Sequence, residues 1–358
     1  MMNTDLFIEM LQIDSTSGRE GKLADFLAER LLTSKSSLER FDSQNLLFSW
    51  GEPRILFCTH LDTVPPYISP VVDGELVRGR GTCDAKGQIF AMYEACLELE
   101  RRGYDGFGLL LLYGEETGSF GAKAFRDSHP GAEWVIVGEP TDNFMASAAK
   151  GTKSFEVTFT GEAFHSGYPQ YGKSAILMFN DFVNALRSIG FPMCDVLGET
   201  TWNIGKLISD NPQNILSDQL TCRVYFRTTF ESDEMVCNIM KNIAGPEARL
   251  RFGRPKVQDG SDIVAKDVAP WQKAMRVVAL GGDTPTRFEV LPGFPTKPVA
   301  FGSDAPQLTN CTHKILCGPG SILVAHRDNE HIALADLEVA VENYIKIYER
   351  LRSVPQRD

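Results

Sequence analysis

No apolar run in the 358-residue sequence approaches the roughly 20 residues needed to span a bilayer, so a membrane partner is not expected. Residues 1–9 carry acids where a secretory signal would carry a basic start and an apolar stretch. Positive charge is in deficit. Lys and Arg total 36 against 47 Asp and Glu, a formal net charge of −11, and a phosphate backbone would meet no basic face. Nucleic acid is therefore excluded as an expected partner. The eight cysteines, Cys58, Cys83, Cys96, Cys194, Cys222, Cys237, Cys311 and Cys317, show no CxxC spacing. Most lie in apolar stretches, where reduced cysteine packs as a small hydrophobe. A chain of this length needs no disulfide framework, and a reducing compartment, the cytoplasm, is the expectation. Internal repeats and low-complexity tracts are also missing.

What is present suits a folded chain: 43% apolar and 23% charged residues, with room for one large domain or two ordinary ones. Residues 4–13 and 20–32 have helical spacing of apolar positions. The segments 54–59 (RILFCT), 107–113 (FGLLLLY) and 133–137 (EWVIV) read as buried strands, with helices predicted over 88–102 and 122–127. Continuous apolar strands separated by helices predict an α/β fold with a mostly parallel sheet covered by helices. The pattern changes after residue 150. Segments 154–160 and 220–227 alternate apolar with polar residues, the mark of a sheet with one wet face, and helices are predicted over 174–189 and 233–243. The α/β pattern is expected to resume with a helix over 270–280, a strand over 314–317 and a last helix over 333–352. The simplest architecture is a split α/β domain, 1–150 and 264–358, with an inserted α+β domain at 151–263.

Polar clusters follow the apolar strands. His60-Leu61-Asp62 follows the first, Gly114-Glu115-Glu116 the second and Gly138-Glu139-Pro140 the third; the strand over 314–317 leads through Gly318-Pro319-Gly320 to His326. A glycine-rich loop at 79–87 (GRGTCDAKG) precedes a helix, but it lacks Walker spacing and its Asp84 would repel a phosphate. In open α/β sheets the active site lies beyond the carboxyl ends of the strands, so these groups could converge on one rim. Two imidazoles and three carboxylates form a ligand set for zinc or cobalt. Two ions about 3.5–4 Å apart need a bridging carboxylate and roughly two further ligands each. That leaves one glutamate of the Glu115-Glu116 pair free as a general base. Asp62 is placed to accept the second N–H of His60.

The segments HLDTVP (60–65), GRGTCDAKG (79–87), GEETGSFGA (114–122), GEPT (138–141) and the late GPG with AHRDNE (325–330) together resemble the M20 metallopeptidase family over nearly the whole chain. The resemblance implies a two-metal, aminopeptidase-like catalytic domain with an inserted dimerisation or lid domain, hence a homodimer. It implies that Asp84 bridges two divalent metal ions, zinc with cobalt as the substitute. His60 would pair with Glu139 on one ion and Glu116 with His326 on the other, with Glu115 as the base and a cis peptide after Asp84. His165, in GEAFHSG, matches a histidine that stabilises the oxyanion in the partner subunit's active site. Asn214, Arg227 and the Gly302-Ser303-Asp304 loop match positions that contact substrate carboxylates. One departure is Gln88 in DAKGQ, where the family pattern runs closer to a second glycine; it bears on specificity rather than chemistry. His129, His313 and His331 read as surface or packing residues.

The implied activity is amide hydrolysis on a small-molecule N-acyl amino acid, with an N-acetylornithine-like substrate of arginine or lysine biosynthesis as the first expectation. N-acetylcitrulline, N-acetyl-lysine and N-succinyl amino acids are close alternatives. A di- or tripeptidase or a carboxypeptidase is a further alternative, and a non-catalytic acyl-amino-acid binder is the last, with the intact Glu115 against it.

Overall fold

The computed structural model describes residues 4–42, 44–252 and 267–354. The chain divides into two compact units: Met1–Ala148, Arg287–Val299 and Ser303–Asp358 form the first, and Ala149–Thr286 with Ala300–Gly302 the second.

The first unit is built on a six-stranded sheet in the order Ser37–Phe41, Asn45–Trp50, Phe107–Leu112, Ile55–His60, Trp134–Val137, His313–Leu316. The last four strands run parallel; the first two form an antiparallel hairpin added to one edge. The strands Ile55–His60, Phe107–Leu112 and Trp134–Val137 are buried at every residue, which explains why they read as unbroken apolar runs. Helix Lys86–Arg101 packs against helix Leu334–Leu351. The core runs through Phe7, Phe57, Phe90 and Tyr344: Phe7 stacks on Phe90 with centroids 5.3 Å apart, and Tyr344 meets Phe57 edge-on at 5.8 Å. Phe57 is fully buried, so Phe57→Ala is expected to lose about 3–5 kcal/mol of stability, read as a lower denaturation midpoint in urea at an unchanged slope.

The second unit carries a four-stranded antiparallel sheet in the order Thr201–Ile208, Gln219–Thr228, Gly151–Thr160, Met275–Gly281. Leu220, Cys222, Val224 and Phe226 alternate inward and meet Phe155, Val157 and Phe159. Helices Ala175–Arg187 and Asp233–Asn242 supply Phe182, Val236 and Met240 to that core.

One expectation fails. The helix predicted over 270–280 is a single turn, Pro270–Lys273, followed by the strand Met275–Gly281. Trp271, Met275 and Val278 have helical spacing, but Val277 and Val278 are β-branched and the edge of Gly151–Thr160 offers them a ladder. That strand completes the second sheet, so the second unit extends to Thr286. The boundary expected at 263/264 lies outside the described residues.

All eight cysteines are free, and only Cys237 among them is not fully buried. Among the described residues no helix is long and apolar enough to cross a membrane.

Candidate metal centre

Parallel strands deliver their carboxyl ends to the same edge of a sheet. Strand Ile55–His60 ends on His60, which is paired with Leu112 next door. Beyond Leu112, Gly114 takes the left-handed conformation, φ 68°, and turns the chain into the short helix Glu115–Gly118. Trp134–Val137 runs into Gly138 and Glu139. Gly318, after the fourth strand, passes so close to Gln88 that a β-carbon there would lie 2.0 Å from its Oε1. Asp84 sits at the entry to helix Lys86–Arg101, and the peptide between Asp84 and Ala85 is cis.

These segments bring five of the predicted residues together in two ligand groups. His60 Nε2 lies 3.0 Å from Asp84 Oδ1. His326 Nε2 lies 3.1 Å from Asp84 Oδ2 and 2.8 Å from Glu116 Oε1. Ligand atoms of His60, Asp84 and Glu139 all fall within 4.8 Å of one another, and so do those of Asp84, Glu116 and His326. The two groups share Asp84, each of whose oxygens faces a different histidine. That is the donor set and sharing pattern of a dinuclear site with one bridging carboxylate. Glu115 belongs to neither group.

The electrostatics of the cluster fit a cation. Withdrawal from water, with the charges of Asp84 and Asp304, of Glu116 on Glu115 and of Glu115 on Glu139, pushes Glu115 and Glu139 well above the ordinary carboxylate range against the pull of His60. Burial and Asp84 likewise raise Glu116. Burial also works to raise Asp84, but hydrogen bonds from His326 and His60 outweigh it and hold Asp84 below its usual value. Hydrogen bonds to Asp84 and Glu116 lift His326 to about 10. Burial opposes a charge on His60, and the carboxylates around it reverse that sign. Divalent ions would replace these protons as the counter-charge.

Asp62 has further partners besides the one expected. His60 Nδ1 lies 2.9 Å from the Asp62 main-chain carbonyl and 3.5 Å from its carboxylate, so the carbonyl is the closer orienter. The carboxylate also accepts the N–H groups of Glu115 (3.0 Å) and Glu116 (3.2 Å) and the hydroxyl of Ser17 (2.8 Å). It therefore fixes the turn that carries the candidate base and a candidate ligand.

Three more residues underpin the Asp84 loop that sequence reasoning did not assign. Glu330 and Arg80 form a fully buried ion pair of 2.7 Å. Gln88, the departure from the family pattern, is buried and donates to the carbonyls of Cys83 (2.9 Å) and Pro319 (2.8 Å). A carboxylate four residues after the candidate ligand His326 was the one available signal for Glu330.

The second unit holds His165, Asn214, Arg227 and Gly302. His165 is exposed, and its Nδ1 accepts the Gly167 N–H at 3.1 Å. The Asn214 carbonyl accepts the Ser166 N–H at 2.8 Å, so these two segments adjoin. Arg227 lies over the Tyr225 ring at 5.1 Å, and a β-carbon on Gly302 would sit 3.7 Å from its guanidinium. Ser303 belongs to the first unit, buried, and its hydroxyl accepts the Ala305 N–H at 3.3 Å. His129 stacks on Phe125 at 4.9 Å, His313 on Trp134 at 4.3 Å, and His331 reaches the Asn329 carbonyl at 2.7 Å, all packing or surface contacts.

The model of peptidase family M20/M25/M40 matches residues 56–350. The chain belongs to this family. A probable carboxypeptidase of Aspergillus terreus is 32% identical over 386 residues, covering 95% of this chain and 84% of that protein. The fold matches a tripeptidase from Staphylococcus aureus with a TM-score of 0.75 at 19% identity, covering 96% of this chain and 97% of that one. It also matches a dinuclear metal-binding M20 peptidase from Bacillus subtilis with a TM-score of 0.68 at 11% identity, covering 96% and 97%. This M20 protein thus has the α/β fold predicted from its strand pattern and two groups of candidate metal ligands.

Proposed function

We propose that this M20 protein is a metallo-carboxypeptidase that removes the C-terminal residue of short peptides, using two divalent ions, zinc or cobalt. The observation that carries the reading is the pair of ligand groups sharing Asp84, with Glu115 beside them and outside both. Once bound, the ions would polarise the scissile carbonyl and make an attacking water more acidic at neutral pH. Glu115 takes a proton from that water and passes it to the leaving amine nitrogen. Asp62 holds Glu115 in place through its main-chain N–H. The roles expected of Asn214, Arg227, Gly302 and Ser303 in binding a substrate carboxylate, and of His165 in a homodimer, are part of the proposal.

The N-acetylornithine-like reading gives way to the peptidase alternative because the curated relatives are named carboxypeptidases. A panel tests the choice: dipeptides and tripeptides with a free C-terminus, the same peptides amidated, and N-acetyl- and N-succinyl-ornithine, -citrulline and -lysine. The expected result is release of the C-terminal residue, with amidation lowering kcat/KM by about 30-fold, the worth of one charge-assisted carboxylate contact near 2 kcal/mol. Turnover of the N-acyl amino acids alone would return the deacylase reading.

A further inference from the structure

The two ligand groups are supported unequally. His60 closes a central strand of the sheet, paired along its whole length on one side and over Ile55–Cys58 on the other. His326 lies in the segment 321–330, where only Ala325 and Glu330 are buried, and its own side chain is 47% exposed. It takes a left-handed backbone conformation, φ 63°, that a residue with a β-carbon seldom adopts unless its surroundings hold it.

Glu330 is the group that ties this segment down. Its Oε1 accepts the main-chain N–H groups of Gly81 (3.0 Å), Cys83 (3.2 Å) and Asp84 (3.2 Å). Its Oε2 accepts Arg80 Nη1 at 2.7 Å. Arg80 donates in turn to the carbonyls of Arg327 (3.2 Å) and Pro66 (3.2 Å), and the Glu330 carbonyl accepts the Gly79 N–H at 3.0 Å. One buried carboxylate thus fastens the loop that carries Asp84 to the segment that carries His326, although 242 positions of sequence separate those ligands.

We propose that Glu330 is a positioning residue for the Asp84–Glu116–His326 group, setting the affinity of the second metal ion relative to the first. The asymmetry follows from what remains when Glu330 is lost. Gln88 still holds the Cys83 carbonyl at 2.9 Å and Lys86 N–H still reaches the Gly81 carbonyl at 2.9 Å, so Asp84 keeps its place toward His60. The His326 segment keeps its carbonyl contacts, Arg327 on Arg80 and Glu330 on the Gly79 N–H, but Arg80 is then left without its buried counter-charge. The proposal rests on the dinuclear reading of the site.

Glu330→Gln is the informative variant. Both sides of the carboxylate face donors only, three N–H groups on one oxygen and a guanidinium on the other. A glutamine places its own NH2 against one of them in either orientation and must give up that side. Zinc binding is measured under buffered free zinc, with metal content per chain and the thermal midpoint read together. His60→Ala and His326→Ala serve as references that mark which binding step belongs to which group. Wild type is expected to take up two ions, and a wild type that binds none would defeat the dinuclear reading rather than this one. In E330Q the step lost in His326→Ala should weaken by about 10- to 100-fold, the usual cost of losing an outer-sphere partner, while the other stays within about threefold of wild type. Equal weakening of both steps, or no change in either, would overturn the proposal and leave Glu330 a structural residue only. If E330Q does not fold by circular dichroism, Glu330→Asp replaces it. Asp keeps the charge but falls one methylene short of the three N–H groups, and the same two outcomes decide.

Discussion

Glu115→Gln is expected to lower kcat by about 10²- to 10⁴-fold, the range for removing a positioned general base, while the protein still binds two metal ions per chain. Glutamine fills the same volume and leaves the main-chain N–H of residue 115 on Asp62, so the turn that presents Glu116 is kept. The Glu115 side chain stands outside both ligand groups, which separates this variant from any ligand substitution. Steady-state kinetics on a cleaved peptide, paired with metal analysis of the same sample, is the measurement. Full turnover in the variant would remove Glu115 from the mechanism. Loss of metal together with turnover would make it a ligand.

Asp84→Ala is expected to remove both metals at once, whereas Glu139→Ala and Glu116→Ala should each remove chiefly one. Asp84 is the only residue common to the two groups, and its two oxygens face His60 and His326 separately. Losing a direct ligand should cost more than the roughly 10- to 100-fold typical of outer-sphere partners, so each site should weaken by more than about 100-fold. Thermal midpoints report the same result. A ligand at 100 times its dissociation constant stabilises the folded state by about 2.7 kcal/mol, so zinc should raise the wild-type midpoint and a chelator should reverse the rise. In Asp84→Ala neither addition should move it. A zinc-dependent shift of wild-type size in that variant would contradict the shared-ligand arrangement.

Legibility in the sequence followed the kind of interaction involved. The buried strands were readable because both faces of the parallel sheet are covered, which forces unbroken apolar runs such as 107–112. The candidate metal ligands were readable because His60, Glu116 and Glu139 stand at or just after strand ends and Asp84 in a glycine-rich loop, where packing gives no reason for so many carboxylates. Met275–Gly281 was misread because its apolar spacing suits a helix and only the open edge of Gly151–Thr160 decides otherwise. For Asp62 the sequence shows one partner, His60, and hides the others. Its proximity in sequence to His60 is visible, while the N–H groups of Glu115 and Glu116 reach it only through the parallel pairing of two strands.

The sequence by itself determined the fold class, the family resemblance, the ligand types and the candidate base, because these depend on local periodicity and on residue identities that chemistry restricts. Only the tertiary structure decided what holds the ligands in place. The buried Arg80–Glu330 pair, the Gln88 amide between two carbonyls and the Asp62 carboxylate on the Glu115 turn join segments far apart in the chain. Their partners are mostly main-chain N–H and C=O groups, which every residue carries, so nothing in the sequence marks them until the fold brings them together.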